Sequence, residues 1–299
     1  MSFSRKISLA AGITLAPWLF MIGRALKFPR LSRLVLVADP EYMRVLQDVG
    51  RPDQSIMIVD QFKIAAMLAS EATKDAADLI KRLMPISESQ LLQDIFCAVT
   101  LEEKKDGFFV EVGVGSGRSI SNSYLLEKYY GWKGLLVEPN RSFHDSIASC
   151  RSATLERRAA ASKGNLRLRF EENVSVGEHS RVANTGGFPI LDAKIAKYEV
   201  ETVTLTEALD MMNAPKIIDF LSLDTEGSEI DILEGLDLNQ YSFKVMVIEH
   251  NYNQAKQNML DAKLSPHGYR QVFPHISKFD AWYVHQNVDT NNLRLRAGR

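Results

Sequence analysis

Residues 107–140, GFFVEVGVGSGRSISNSYLLEKYYGWKGLLVEPN, constrain the fold of this chain more than any other stretch. They predict a buried strand over 108–112, a glycine turn, a helix, and a second strand that ends at Glu138. A strand that runs into glycines and then into a helix directs free backbone N–H groups toward a ligand. An acid at the tip of the next strand is placed to accept hydrogen bonds from a ribose. The stretch therefore predicts half of a nucleoside-binding site.

Downstream of this stretch, strand and helix patterns alternate. Further strands are predicted near 154–160, 166–170, 200–205, 217–223, 244–249, 269–273 and 281–285. This alternation is typical of a mostly parallel α/β sheet with helices on both faces. The last two strands are separated by a short turn, so they are expected to form an antiparallel edge. The polar segment 171–199 is predicted to be a functional or mobile loop, with His179 as a candidate for contact with a substrate.

The glycine turn itself indicates which cofactor it holds. Residues 113–117 read G-x-G-x-G, whereas the dinucleotide fingerprint is G-x-G-x-x-G, and Arg118 stands where its last glycine belongs. Glu111, just before the turn, would repel a pyrophosphate but would attract the ammonium and sulfonium groups of S-adenosylmethionine. The pattern therefore favours S-adenosylmethionine, and a nicotinamide dinucleotide of an oxidoreductase remains the alternative.

Acidic and imidazole groups follow two later strands. Asp224 and Glu226 come directly after the predicted strand 217–223, and ligands of open α/β sheets lie outside such strand ends. Glu229 is assigned to helix capping. His250 follows the next strand and is predicted to be the general base for a hydroxyl group, with Asp224 as the second choice. A divalent ion held by Asp224, Glu226 and Glu249 is an alternative way to activate the hydroxyl.

The segments FFVEVGVGSGRS, LLVEPN, LSLDTEGSEIDILEG and VIEHN resemble the FkbM-type methyltransferases, over roughly residues 106–285. The resemblance implies a class I, Rossmann-like fold with seven strands in the order 3-2-1-4-5-7-6. It also implies S-adenosylmethionine-dependent methylation of a hydroxyl on a sugar, glycolipid or similar small molecule. The chain departs from the family at Gly115, where members often have Asn. A non-catalytic protein that retains the cofactor fold remains an alternative.

These arguments yield a set of predicted site residues. The catalytic candidates are His250 and Asp224. The predicted cofactor contacts are Glu111, Gly113, Val114, Gly115, Gly117, Glu138, Pro139, Asp224 and Glu226. No metal ligand is assigned.

The predicted domains are an apolar and basic N-terminal segment (1–38), a helical cap (39–105), the methyltransferase domain (106–288) and a polar tail (289–299). Residues 7–23 carry no charge. Three interpretations of this segment remain open: a packed helix, a membrane-associated anchor or a cleaved signal peptide. The cap is expected to contain one long helix from about Asp60 to Pro85 and a second over 90–99, and it could mediate homo-oligomerisation.

Composition limits the partners. A net charge of −1 provides no electrostatic argument for binding nucleic acid. Cys97 and Cys150 are too few for a disulfide framework and favour a reducing, cytoplasmic location. No Cys-x-x-Cys pattern occurs, so a structural zinc site is not expected. The expected partner is a small-molecule acceptor.

Overall fold

The computed structural model describes residues 52–174, 177, 180–183, 185 and 194–293. The unit that contains the sheets and the candidate site runs from Ile64 to Arg299. The predictions for residues 7–23 and for His179 lie outside the described residues. Within the described part of the chain, no helix is both long and apolar enough to cross a bilayer.

The helices are α1 (Pro52–Ser70), α2 (Lys74–Leu83), α3 (Gln93–Thr100), α4 (Tyr124–Tyr130), α5 (His144–Cys150), α6 (Leu205–Met211), α7 (Glu229–Glu234) and α8 (Gln254–Leu264). The strands are β1 (Phe108–Val112), β2 (Lys133–Val137), β3 (Thr154–Glu156), β4 (Ala159–Ala160), β5 (Arg167–Asn173), β6 (Arg181–Val182), β7 (Ile195–Val203), β8 (Ile217–Leu223), β9 (Ser242–Glu249), β10 (Tyr269–Val272) and β11 (Asp280–His285).

The main sheet has seven strands in the order β3-β2-β1-β8-β9-β11-β10. The pairs among β3, β2, β1, β8 and β9 are parallel, and β11 is antiparallel to both of its neighbours. Numbered along the chain without the strands of the second sheet, this is the order 3-2-1-4-5-7-6. The predicted class I fold and its antiparallel edge are therefore confirmed.

Alternating side chains of the strands enter two separate hydrophobic layers. Phe109 and Phe220 face a core shared with α1 to α5, whereas Val110 and Leu221 face a core shared with α6 to α8. Neighbouring strands are in register, with Phe109 opposite Phe220, so each layer is continuous across the sheet. Side chains buried on both faces explain why the strands read as continuous apolar runs in the sequence. The result is a helix–sheet–helix sandwich.

Two helices from the region predicted as a cap, α2 and α3, belong to the first of these layers. Phe96 of α3 stacks on Trp282 of β11, with ring centroids 4.5 Å apart. The prediction of a single helix from Asp60 to Pro85 was wrong, because the helix is interrupted between α1 and α2. The backbone N–H of Thr73 donates to Asn292 O at 2.9 Å, and the Thr73 hydroxyl caps α2. A contact with a distant part of the chain thus interrupts a helical pattern that looked continuous.

A second, four-stranded sheet of order β4-β7-β5-β6 was not predicted. The strand expected over 154–160 divides into β3 in the main sheet and β4 in the second sheet. β5 and β7 pair antiparallel, with Arg167 opposite Glu201 and Asn173 opposite Ile195. The segment 171–199, which was expected to be one loop, therefore contains strand residues at both ends. Pairing between strands so far apart in sequence leaves no local signature.

The buried carboxyl of Asp280, which is hydrogen-bonded to Gln93 of α3, is expected to make fold stability depend on pH. Gln93 Nε2 donates to Asp280 Oδ2 at 2.8 Å, and burial raises the pKa of Asp280 to about 7. An aspartate in an unfolded chain has a pKa of about 3.9. The folded protein therefore keeps a proton that the unfolded chain loses. This contribution to stability is complete below about pH 4 and is lost as the pH rises through 7.

We expect Asp280→Asn to remove that dependence, since an amide stays neutral and can still accept the Gln93 hydrogen bond. Between pH 6 and pH 8, the free energy of unfolding of the wild type should fall by about 1 kcal/mol relative to the variant. Urea unfolding of both proteins at the two pH values measures this difference. The exposed Asp289→Asn is the matched control. Its free energy of unfolding should change between pH 6 and pH 8 by the same amount as that of the wild type. The same change in Asp280→Asn as in the wild type would contradict the prediction.

Candidate active site

A cavity of about 250 Å³ lies at the carboxyl ends of β1, β2, β8 and β9. This is the edge where open α/β sheets bind ligands. Its wall includes most of the predicted cofactor contacts: Gly113, Val114, Gly115, Glu138, Pro139, Asp224 and Glu226. The predicted residues therefore meet at one cavity on this edge of the sheet.

Gly113 allows the end of β8 to approach the glycine turn. Its φ is +83°, and a Cβ atom built on it would lie 1.6 Å from the carbonyl oxygen of Asp224. Its N–H donates to Val137 O at 3.1 Å, so the turn is also tied to β2. Only glycine combines this backbone angle with so close an approach.

Gly117, by contrast, is a packing residue and is not part of the cavity wall. It has a φ of +86°, and an added Cβ atom would lie 3.1 Å from the Cα atom of Ile147 in α5. The helix after the turn begins only at Tyr124. The backbone N–H groups at its start are therefore well beyond the glycines, which corrects the simple strand–turn–helix prediction.

Glu138, at the tip of β2, faces the cavity and also holds the glycine turn. Its Oε2 accepts hydrogen bonds from the backbone N–H groups of Val114 at 3.0 Å and Gly115 at 2.9 Å. Its Oε1 accepts the N–H of Asn140 at 2.8 Å. The N–H groups that were expected to point at a ligand thus donate to Glu138. Glu138 therefore fixes the conformation of the glycine turn from the cavity wall.

Glu111 does not line the cavity, which corrects its predicted contact with the cofactor. It shares a face of β1 with Phe109, because side chains alternate along a strand. Its carboxylate accepts hydrogen bonds from the Ser121 hydroxyl at 2.9 Å and from the backbone N–H of Asn122 at 2.6 Å. The buried Arg151 Nη1 lies 3.6 Å away. Glu111 therefore organises the segment before α4, of which Ile120 and Asn122 reach the cavity wall.

Carboxyl groups from two strand ends in the cavity wall and from one helix behind it lie close together. Asp224, Glu229 and Glu249 each place a carboxylate oxygen within 4.8 Å of the others. Burial, together with repulsion from neighbouring acids, raises the pKa of Asp224 well above its usual value and raises the pKa of Glu249 to about 11. Asn251 Nδ2 donates to Glu249 Oε2 at 2.7 Å. Two carboxyls this close do not readily ionise together, so the raised pKa values keep at least one of Asp224 and Glu249 protonated near neutral pH.

Glu229 already has its partners. It accepts hydrogen bonds from the backbone N–H groups of Thr225 at 2.9 Å and Gly227 at 3.2 Å, and it forms an ion pair with Lys256. Besides its predicted role at the start of α7, Glu229 thus holds the turn between β8 and α7. Because Lys256 supplies a cation to Glu229, we interpret the cluster as a pair of carboxyls with raised pKa values, Asp224 and Glu249, beside an ion pair.

His250 is buried outside the cavity wall, which corrects its prediction as the general base. Its Nε2 lies 3.0 Å from the backbone carbonyl oxygen of Asp280. Burial lowers the pKa of His250 below its ordinary value. β9 ends at Glu249, and it is that side chain, with those of Asn251 and Tyr252, that contributes to the wall. Asp224, the second choice, is in the wall.

Several wall residues had no recognisable signal in the sequence. The second sheet and the connection between β5 and β6 contribute Phe170, Gly177, Ser180, Arg181 and Val182. Phe143, Tyr252, Phe279 and Gln90 complete other parts of the wall. Aromatic residues on short loops resemble ordinary core residues until the fold brings them together. The segment 171–199 does reach the cavity, as expected of a functional loop.

Comparison with known proteins agrees with this geometry. Residues 111–271, more than half of the chain, match the family described as "Methyltransferase FkbM domain". No curated protein matches the sequence.

The chain is also similar to several solved structures. The METTL16 MTase domain has 11% identity and a TM-score of 0.40, with 77% of this chain and 80% of that chain covered. A precorrin-6y C5,15-methyltransferase from Geobacter metallireducens GS-15 has 12% identity and a TM-score of 0.35, with coverage of 64% and 84%. A SAM-dependent methyltransferase from Aquifex aeolicus has 14% identity and a TM-score of 0.32, with coverage of 71% and 98%.

Proposed function

This chain belongs to the FkbM family of S-adenosylmethionine-dependent methyltransferases, and we propose that it methylates a hydroxyl oxygen of a sugar, glycolipid or similar small molecule. The observation that carries this proposal is that the carboxyl groups of Asp224 and Glu249 both line the cavity, with oxygens within 4.8 Å of each other. An alcohol is a poor nucleophile and benefits from a base as its new bond forms. The oxidoreductase alternative is set aside, because the family uses S-adenosylmethionine.

The cavity residues fit this cofactor. Glu138 is placed to accept hydrogen bonds from ribose hydroxyls, and Pro139, Phe143 and Ala160 form an apolar wall suited to adenine. The acidic part of the wall is complementary to a sulfonium cation. When bound, S-adenosylmethionine supplies a methyl group that its positively charged sulfur makes electrophilic.

Asp224 and Glu249 supply the base. A carboxylate whose pKa is raised is a stronger base than an exposed one, and it is most effective once a cation in the cavity favours its ionised form. The acceptor hydroxyl donates its hydrogen bond to the ionised member of the pair and transfers its proton there.

The rest of the wall favours a compact acceptor with many hydroxyls. Tyr252 and Phe279 form an aromatic pair with centroids 6.0 Å apart, next to the Asn251 amide. Ring faces suit the C–H surface of a sugar, and amide and carboxyl groups suit its hydroxyls.

Transfer of labelled methyl from S-adenosylmethionine tests the acceptor class. The panel should contain methyl glycosides and glycolipids, with simple amines and carboxylic acids as controls. We expect label in a methyl ether that survives alkaline hydrolysis. Label on nitrogen, or in an alkali-labile ester, would overturn the proposal.

Glu138→Gln is expected to weaken binding of S-adenosylhomocysteine by about 10- to 100-fold, because hydrogen bonds to a charged acceptor are worth about 1.5–3 kcal/mol. Calorimetric titration measures the change, with thermal unfolding in parallel to check the turn. The control is Glu156→Gln at the end of β3, a carboxylate paired with Arg158 outside the cavity wall. Equal losses in both variants would contradict a ribose contact.

Turnover is expected to be unchanged after treatment with a chelator, since Lys256 already supplies a cation to the acidic cluster. Dialysis against EDTA, followed by assay with and without added magnesium or manganese, provides the measurement. Loss of activity that either ion restores would favour the divalent-ion alternative.

We also propose a cytoplasmic location without a nucleic-acid partner, supported by two free cysteine thiols and the near-zero net charge. Membrane association through residues 7–23 and homo-oligomerisation belong to the same proposal. Fractionation of the full chain and of a version lacking residues 7–23 tests the first, and light scattering tests the second.

A further inference from the structure

We propose that the Gln90 carboxamide binds the amino-acid end of S-adenosylmethionine, by donating a hydrogen bond to its carboxylate. The proposal rests on the cofactor assignment and deepens it. Gln90 belongs to the anchoring loop, which we define as residues 87–93 between α2 and α3. This loop lies outside the segment that matches the family, residues 111–271, so family membership assigns it no role.

The anchoring loop is attached to the cavity through several buried contacts. Ser89 forms a parallel β-bridge with Ile120, and its hydroxyl donates to Asn122 Oδ1 at 2.7 Å. The N–H of Gln93 donates to the Ser89 hydroxyl at 3.0 Å, and Gln93 Nε2 donates to Asp280 at 2.8 Å. Both Ser89 and Gln93 are buried. The loop is therefore held in one position on each side of Gln90.

The backbone on both sides of the bridge is strained and held by its surroundings. Leu92 has a φ of +62° and Ile120 a φ of +57°. Positive φ is costly for a non-glycine residue, above all for a β-branched one such as Ile120. Leu91 and Leu92 are each only 1% exposed, so packing retains this conformation. Strain of this kind persists where the surrounding structure determines the backbone.

Gln90 itself is half-buried in the cavity wall. Among the described residues its carboxamide has no hydrogen-bond partner, whereas the other amides of the wall are engaged. Asn122 Nδ2 donates to Ser222 at 2.9 Å, and Asn251 Nδ2 donates to Glu249 at 2.7 Å. Gln90 thus offers an uncommitted N–H donor to whatever enters the cavity.

The position of Gln90 in the wall indicates that it contacts the amino-acid end of the cofactor. Glu138 marks the ribose position, and Phe143 and Ala160 lie on the adenine side. Gln90 adjoins Ile120 through the bridge at Ser89, and Ile120 follows the glycine turn. The wall on that side has no other uncommitted amide donor among the described residues. A carboxylate needs such donors when it leaves water.

Calorimetric titration with two probes tests the proposal. S-adenosylhomocysteine has the amino-acid group, and 5′-methylthioadenosine has the same nucleoside and thioether without it. We expect Gln90→Ala to weaken S-adenosylhomocysteine by about tenfold and to leave 5′-methylthioadenosine unchanged. Gln90→Glu should weaken S-adenosylhomocysteine further, since it places a second carboxylate beside the first. Glu138→Gln should weaken both probes alike.

Gln257→Ala on α8 is the matched control, because that glutamine bonds Gln271 outside the cavity wall; it should bind both probes as the wild type does. Thermal unfolding confirms that each variant is folded. Equal effects of Gln90→Ala on the two probes, or none on either, would overturn the role of Gln90 alone. A wild-type protein that binds neither probe would overturn the cofactor site together with it.

Discussion

Gly113→Ala is expected to destabilise this protein by at least about 4 kcal/mol, a large part of the total stability of about 5–15 kcal/mol of a folded domain. The added methyl would lie 1.6 Å from the carbonyl oxygen of Asp224, and the residue has a φ of +83°. Neither β1 nor β8 can withdraw, because they pair from Phe109–Phe220 to Val112–Leu223 in the centre of the sheet. Soluble yield and urea unfolding measure the effect.

Gly115→Asn is the matched control in the same turn. Its φ of +56° lies in the left-handed region that Asn tolerates best among residues with a side chain. We expect a loss of no more than about 1 kcal/mol. This also accounts for the family's use of Asn where this chain has Gly115. Equal destabilisation by the two substitutions would show that the contact with Asp224 is not the cause.

Asp224→Asn is expected to lower kcat by about 10²- to 10⁴-fold, the usual contribution of a positioned general base. Glu249→Gln should have an effect of the same order, since the two carboxyls act as a pair. Binding of S-adenosylhomocysteine should change by less than about tenfold, because the adenosine contacts are elsewhere in the cavity. Single-turnover kinetics on an acceptor from the hydroxyl panel, together with calorimetry, separate the two quantities.

The pH profile distinguishes a base from a structural role. Burial and repulsion raise the pKa of both carboxyls, so the ionised form gains population as pH rises, and wild-type kcat should rise with it. Asp224→Asn should abolish that rise. Asp231→Asn on α7, outside the cavity wall, is the control and should retain the profile. A variant at Asp224 with wild-type kcat and profile would exclude the pair as the base.

Local sequence patterns were sufficient to predict the architecture of the main sheet. The strand, turn and strand of residues 107–140, the strand that ends before Asp224 and the final hairpin all stand where the sequence predicted them. Each is a short element with a strong pattern and a marked end. The carboxyl ends of parallel strands share one edge, so Gly113, Glu138 and Asp224 meet at the cavity whatever the details of packing.

The direction of individual side chains was not predictable in the same way. Glu111 and His250 adjoin the predicted site in sequence, yet Glu111 supports the segment before α4 and His250 bonds the backbone of Asp280. Alternation along a strand turns adjacent residues to opposite faces, and only the packed layers decide which face meets the ligand. Glu249, one residue before His250, therefore lies in the cavity wall.

The sequence by itself determined the fold, the cofactor and the edge of the sheet that carries the cavity, because these follow from strand ends and glycine spacing. The tertiary structure alone decided which groups surround the reacting centre. The pair Asp224 and Glu249, the second sheet and Gln90 come from segments far apart along the chain. Their proximity, and the raised pKa values that follow from it, depend on contacts that no local pattern encodes.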